Sequence, residues 1–250
     1  ILKYLGLPYA EPPIGSLRFK APQPKRRVDG SIQATQLSPG CMQQETSSTS
    51  LFADAIRQTS YSEDCLYLNL FVPETRLPIG KWTRNLAVMV YIHGGEFVTG
   101  SASWRHLDGS ILAVHGGVIV VTLNYRLGVY VGSLGFLSTE DEESAGNYGL
   151  WDLITALRWL KINIKSFGGD TDRITVVGST TTISMLLESS YTQGLFSKVI
   201  AQGGGPSPLF LFDKRAREKT QILAKNMDCE SDSIKATIRC MGDVDARNFV

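Results

Sequence analysis

The sequence predicts an α/β fold in which a mostly parallel sheet is flanked by helices. Two observations carry this. Short β-branched runs recur along the chain, and most of them are separated by segments with helical spacing. Strands that alternate with helices in this way build parallel sheets through crossover connections. A length of 250 residues permits one large domain or two small ones.

Residues 1–40 are dense in Pro and Gly (Leu7-Pro8, Pro12-Pro13, Pro22, Pro24, Pro39-Gly40), which suits extended segments and turns. Residues 43–62 are polar and rich in Ser and Thr, and read as a surface loop between the first two cysteines. Strand patterning begins at Leu66 to Val72 and continues at Leu86 to His93, which runs into Gly94-Gly95. Asp108 to Val114 reads as a short helix capped by Asp108 and closed by Gly116-Gly117, followed by a buried-strand run from Val118 to Tyr125. The clearest helix is Leu150 to Ile164, with Leu150, Leu153, Ile154, Leu157, Leu160 and Ile164 on one face and Gly168-Gly169 as its stop. A short strand at Ile174 to Val177, a helix at Thr181 to Ser190 and a strand at Lys198 to Ala201 follow. Two more helices, Asp213 to Met227 and Asp232 to Cys240, complete the pattern.

Composition excludes several classes. With 25 Lys+Arg against 24 Asp+Glu the net charge is +1, which gives no basic field for nucleic acid. The longest apolar run, Leu86 to Ile92, falls far short of the roughly 20 residues that span a bilayer. Ile1 opens directly on patterned sequence with no initiator Met and no signal peptide, so a piece of a longer chain is expected. The four cysteines fall into two local pairs, Cys41 with Cys65 and Cys229 with Cys240, but four cysteines allow three connectivities and spacing does not choose among them. No CxxC or Cys/His cluster suggests a metal, no cofactor motif is present, and no Asn-x-Ser/Thr sequon occurs.

A series of motifs then falls in one order: Tyr4-Leu5-Gly6-Leu7-Pro8-Tyr9-Ala10-Glu11-Pro12-Pro13, Leu17-Arg18-Phe19, Ser62-Glu63-Asp64-Cys65-Leu66-Tyr67-Leu68-Asn69 and His93-Gly94-Gly95. Asn124-Tyr125-Arg126-Leu127-Gly128, Gly146-Asn147-Tyr148-Gly149-Leu150 and Phe167-Gly168-Gly169-Asp170 continue it. This order resembles the type-B carboxylesterase/cholinesterase family, and the resemblance implies an α/β-hydrolase fold of which residues 1–250 form the N-terminal half of the domain. Asp108-Gly109-Ser110-Ile111-Leu112-Ala113 and Gly135-Phe136-Leu137-Ser138-Thr139 are most similar to the neuroligin group, whose members are adhesion proteins of the synapse.

An esterase of this fold needs a serine at the tip of a sharp strand-to-helix turn, Gly-x-Ser-x-Gly. The matching stretch here is Gly178-Ser179-Thr180-Thr181-Thr182, with Thr180 in the serine's place and Thr182 in that of the closing glycine. Threonine is β-branched and tolerates positive φ poorly, so the strained elbow is disfavoured. Threonine nucleophiles elsewhere use their own N-terminal amine as base, which a mid-chain residue lacks. Ser179 stands where active members carry glutamate, and reads as a cap for the following helix. The oxyanion hole is altered too: active members have three glycines, and this chain has Gly94-Gly95-Glu96, which sets a carboxylate beside a developing negative charge unless it turns outward. Glu143-Ser144-Ala145-Gly146 imitates the nucleophile phrase but follows an acidic loop, Thr139 to Glu142, with no strand before it.

His93 reads as structural, and His106 and His115 lie in loop-like context. The acid and histidine of a triad would fall beyond Val250, and residues 42–64 lack the tryptophan that cholinesterases use for quaternary ammonium groups. The resemblance further implies ion pairs Arg18–Glu63 and Arg126–Asp170. Disulfides Cys41–Cys65 and Cys229–Cys240 are expected on an extracellular reading. Tyr130-Val131-Gly132-Ser133 reads as an insertion at the end of a central strand. The function expected is a catalytically inactive, neuroligin-like ectodomain for protein recognition and cell adhesion, secreted or on the outer face of the membrane. Its expected partner is a cell-surface protein, with a homodimer through the C-terminal half, no nucleic acid, no cofactor and no metal. The alternatives are a carboxylesterase with a divergent elbow and a truncated or defective family member.

Overall fold

A computed structural model describes residues 1–26, 30–44, 60–74, 85–128, 134–203 and 213–250. In chain order the strands are β1 (Leu2–Pro8), β2 (Gly40–Cys41), β3 (Tyr61–Ser62), β4 (Tyr67–Val72), β5 (Leu86–Ile92), β6 (Ile119–Leu123), β7 (Gly169–Ser179) and β8 (Lys198–Gln202). The helices are α1 (Ser110–Gly116), α2 (Tyr148–Asn163), α3 (Thr180–Glu188), α4 (Ala216–Asn226) and α5 (Ile234–Asp243). Six strands make the main sheet in the order β1-β4-β6-β5-β7-β8. β6, β5, β7 and β8 run parallel, while β4 lies antiparallel to β6, and β1 antiparallel to β4.

The central strands are continuous apolar runs because both faces of the sheet are covered. Every residue of β6 is buried, and Val88, Val90 and Ile92 of β5 are at most 1% exposed. The Pro-rich opening folds as an edge strand, β1, and turns. β7 begins at Gly169, earlier than the apolar run Ile174 to Val177 suggests, because Gly169 pairs with Leu86 at the start of β5. α1 begins at Ser110 with Gly109 as its N-cap, while the Asp108 carboxylate accepts from the Ser110 N–H at 2.8 Å. Its C-cap, Gly117, is left-handed, as a helix stop requires.

α2 buries Tyr148, Gly149, Asp152, Leu153, Ala156, Leu157 and Leu160 against the sheet. A second, smaller cluster gathers Phe19, Leu134, Leu137, Tyr148, Leu223, Ala224, Cys229, Met241 and Phe249, so α4 and α5 pack on a core separate from the main one and shared with the start of α2. Among the described residues, β8 pairs only with β7, and its Ile200 is 49% exposed. No helix of the described residues is long and apolar enough to cross a membrane. Residues 45–59 of the polar loop and the inserted Tyr130–Ser133 lie outside the described residues.

Candidate functional site

Parallel strands deliver their C-terminal ends to one edge of a sheet, where α/β folds build their sites. β5 and β7 are neighbours, with Tyr91 opposite Val177, so His93-Gly94-Gly95-Glu96 and Gly178-Ser179-Thr180-Thr181-Thr182 leave the sheet side by side. Gly178 permits this contact, since a Cβ there would lie 3.2 Å from the Ile92 carbonyl oxygen.

The turn after β7 is relaxed. Ser179 is the N-cap of α3, with extended φ −60° and ψ 146°, and its Oγ accepts from the Thr182 N–H at 3.4 Å. Ser179 Oγ also lies 3.0 Å from Thr182 Oγ1. Thr180 is the first residue of α3 and is not among those with positive φ. Its hydroxyl donates to the Gln202 carbonyl on β8 at 3.1 Å, and the side chain is buried. A nucleophile needs its hydroxyl presented to a base and to substrate. This one turns sideways onto the neighbouring strand.

The loop after β5 keeps a glycine-type path beyond its two glycines. Gly95 has φ 118°, and Glu96 (φ 55°) and Phe97 (φ 61°) are also left-handed. Glu96 is exposed and Phe97 is buried against Tyr125 and Phe136. Gln43 clamps the far end of this loop: its amide donates to the Gly100 carbonyl at 2.7 Å and accepts from the Gly100 N–H at 2.8 Å. Gly100 has φ 127°, and a Cβ there would lie 2.1 Å from His93 Nδ1, so no other residue fits.

His93 is the buried base nearest this edge, yet it faces the interior. Its ring stacks on Tyr125 at 4.5 Å, and its Nδ1–H donates to the Gly94 carbonyl at 3.0 Å. Burial pushes its pKa down from 6.5 to about 4, against the opposing pull of the Gly94 hydrogen bond. Between those values the unfolded chain binds a proton that the folded chain refuses. Stability is therefore full above pH 6.5 and falls as pH drops toward 4, by about 3 kcal/mol from this group. Urea unfolding of wild type and His93→Phe across pH 4–7 checks this, and an equal slope in both would refute it. His106 sits exposed in the 3-10 turn Arg105–Leu107, and His115 lies in the last turn of α1 rather than in a loop.

The implied ion pairs divide. Arg18 makes two bonds to Glu63, Nε to Oε1 at 2.6 Å and Nη2 to Oε2 at 2.5 Å, and adds Nη1 bonds to the Met241 and Val244 carbonyls. The expected Arg126–Asp170 pair is absent. Arg126 pairs with Asp152 of α2, Nε to Oδ2 at 2.8 Å and Nη2 to Oδ1 at 2.7 Å, while Asp170 accepts from Arg173 at 2.9 Å. Arg126 follows the end of β6, whereas Asp170 is the second residue of β7. These strands run the same way, so the two residues lie at opposite edges of the sheet, separated by about a strand length, roughly 20 Å. Asp152 escaped the sequence reading although it occupies the buried stripe of α2, where a carboxylate demands a partner.

Cys41 is joined to Cys65 and Cys229 to Cys240, with Cα–Cα distances of 5.0 and 5.5 Å. Ser144 of the imitation motif is itself buried in a largely exposed loop, with Oγ donating to Leu137 O at 3.2 Å and 2.8 Å from Tyr148 Oη, away from any strand-to-helix turn. A buried polar network also passed unnoticed. Asn124 accepts from the Ala102 N–H at 2.8 Å and donates to the Pro39 carbonyl at 2.9 Å, tying the segment before Cys41 to the end of β6. Among the described residues no group of three or more His, Cys, Asp or Glu side chains is placed to hold a metal.

A model of the carboxylesterase family matches residues 1–250. The chain belongs to the carboxylesterase family. Neuroligin-2 of Mus musculus is 38% identical over 279 residues, covering 100% of this chain and 33% of the relative. Carboxylesterase 3 of Homo sapiens is 39% identical over 253 residues, covering 99% of this chain and 43% of the relative. Liver carboxylesterase 1 of Oryctolagus cuniculus is 37% identical over 246 residues, covering 95% and 42%. This carboxylesterase-family chain therefore spans 33–43% of the length of these relatives. With the central parallel sheet and its flanking helices, it has the α/β-hydrolase fold.

Proposed function

We propose that this chain is the N-terminal part of a neuroligin-like ectodomain that recognises a cell-surface protein in adhesion and does not hydrolyse esters. The observation that carries the reading is Thr180: the residue in the nucleophile's place is helical, buried and bonded to the Gln202 carbonyl. Glu96 in the third oxyanion position supports it, because a carboxylate opposes the charge that an acyl-transfer transition state develops. Two disulfides suit an oxidising compartment, hence the outer face of a membrane or the secreted state. In this reading the fold is a rigid platform and recognition belongs to its loops. Dimerisation belongs to the C-terminal part.

The test is chemical. Full-length protein should hydrolyse carboxylic esters no faster than buffer and take no covalent label from organophosphate probes. Thr180→Ser alone should stay silent, since Glu96 and Thr182 still spoil the hole and the turn. Ser179→Glu, Thr180→Ser, Thr181→Ala, Thr182→Gly and Glu96→Gly together should yield weak activity where a downstream histidine completes the machinery. Loss of a catalytic serine costs about 10⁶ in rate, so the contrast is wide. Stoichiometric labelling of the unmodified protein at Thr180 or Ser179 would replace this reading with that of a divergent carboxylesterase, which the 39% identity to carboxylesterase 3 favours as the second reading.

A further inference from the structure

The two disulfides differ in access and in what they hold. Cys41 and Cys65 are 2% and 0% exposed and belong to the main core under the sheet. A thiolate must approach a disulfide sulfur along the S–S axis, so neither sulfur can be attacked until the fold opens. Cys229 is equally buried at 3%, but its partner Cys240 is exposed on α5.

The second bond also holds a separable part of the molecule. Cys229 follows α4, where its N–H donates to the Ala224 carbonyl at 2.8 Å, and the disulfide ties that exit to the last turns of α5. Both helices rest on the smaller cluster, where Leu223, Met241 and Phe249 meet Phe19, Leu134, Leu137 and Tyr148 of the body, rather than on the main core. Among the described residues the polar bonds that cross to the body are few: Arg18 holds the carbonyls of Met241 and Val244, Thr220 Oγ1 donates to the Ser138 carbonyl at 2.7 Å, and the Arg217 N–H donates to Glu140 Oε1 at 3.4 Å, while Phe249 meets Phe19 edge-on at 5.6 Å and the Arg18 guanidinium at 5.6 Å. Residues 213–250 thus depend on local constraints, and weakly held units of this kind open without global unfolding.

We propose that Cys229–Cys240 is a redox-sensitive clasp, opened by dithiol reductants while Cys41–Cys65 stays intact, and that its opening loosens residues 213–250 from the sheet. One thiolate of the dithiol attacks Cys240 Sγ, the S–S bond breaks, and Cys229 leaves as a thiolate that takes up a proton. The second thiol of the reductant, as thiolate, attacks the reductant's own sulfur in the mixed disulfide, releasing Cys240, which is protonated in turn. Two electrons pass to the protein's cystine and the dithiol becomes a cyclic or internal disulfide.

Oxidised full-length protein is incubated with dithiothreitol under native conditions, quenched with N-ethylmaleimide at intervals and mapped by mass spectrometry. Cys229 and Cys240 should be labelled at least about tenfold faster than Cys41 and Cys65. Hydrogen exchange on the partly reduced protein should rise in 213–250 and stay unchanged in β5, β6 and β7. A Cys229→Ser/Cys240→Ser variant should show the same local rise without reductant. Equal rates for the two bonds, or earlier loss of Cys41–Cys65, would overturn the proposal, as would unchanged exchange in 213–250 after the second bond is cut.

Discussion

Arg126→Ala is expected to destabilise the full-length protein by about 3–5 kcal/mol, because it leaves the Asp152 carboxylate charged, unpaired and wholly buried. Asp152 receives the Arg126 guanidinium through two bonds and the Arg126 backbone N–H through a third, at 3.0 Å. Arg126 Nη1 continues to the Lys20 carbonyl at 2.9 Å, and the guanidinium lies 5.3 Å from the centre of the Tyr148 ring. The pair therefore joins the end of β6, the start of α2 and the segment after the 3-10 turn Gly15–Leu17. Burial lowers the guanidinium's pKa and the adjacent Asp152 more than restores it, so the charge persists throughout the accessible pH range. Asp152→Asn should cost less than Arg126→Ala, since the amide oxygen still accepts while the buried arginine keeps part of its bonding. Asp170→Asn should cost under about 1 kcal/mol, as its bond to Arg173 is at the surface. Urea midpoints for the three variants decide the matter. A small effect from Arg126→Ala with a large one from Asp170→Asn would restore the pairing that the family resemblance implied.

Arg18→Ala should be the second severe substitution, costing about 3 kcal/mol or more. Glu63 loses both of its guanidinium bonds, and the carbonyls of Met241 and Val244 at the end of α5 lose their donor. Phe249 also loses the guanidinium 5.6 Å from its ring centre. Arg18→Lys should rescue little, because a point ammonium cannot span the Glu63 fork and two carbonyls at once. The damage should be uneven: hydrogen exchange should rise in α5 and in the residues around Glu63 before it rises in β5 or β6. Full recovery by lysine would mean that charge alone, and not the planar fork, holds this junction.

From β4 onward the order of strands and helices was legible in the sequence because it depends on local repeats, whereas β1, β2 and β3 fall in stretches that read as extended segments, turns and a surface loop. α2 shows why: its apolar residues at three- and four-residue spacing describe one face, and that face packs on the sheet. The helix begins two residues before its apolar pattern, since Tyr148 and Gly149 carry no helical signature: Tyr148 enters through packing on the second cluster and Gly149 through its N–H bond to the Gly135 carbonyl. The Ser179 cap was readable for the same reason, as a cap is a contact within one turn. The family was legible as well, from the ordered motifs that run from Tyr4 to Asp170.

Partners distant in sequence required the sheet. Asp170 and Asp152 are equally plausible acids for Arg126 in a linear string, and the common direction of β6 and β7 removes the first of them. Gln43 and Gly100 lie 57 residues apart, and nothing in their spacing announces the clamp between them. The bearing of Thr180 is of the same kind. Its identity told against a nucleophile, but the register of β7 on β8, with Ser179 opposite Gln202, sets the acceptor for its hydroxyl. Periodicity and turn chemistry act over a few residues, so the sequence by itself determined most elements and the helix cap at Ser179. Direction and register act between strands, and only the tertiary structure decided which charge meets which and where the threonine points.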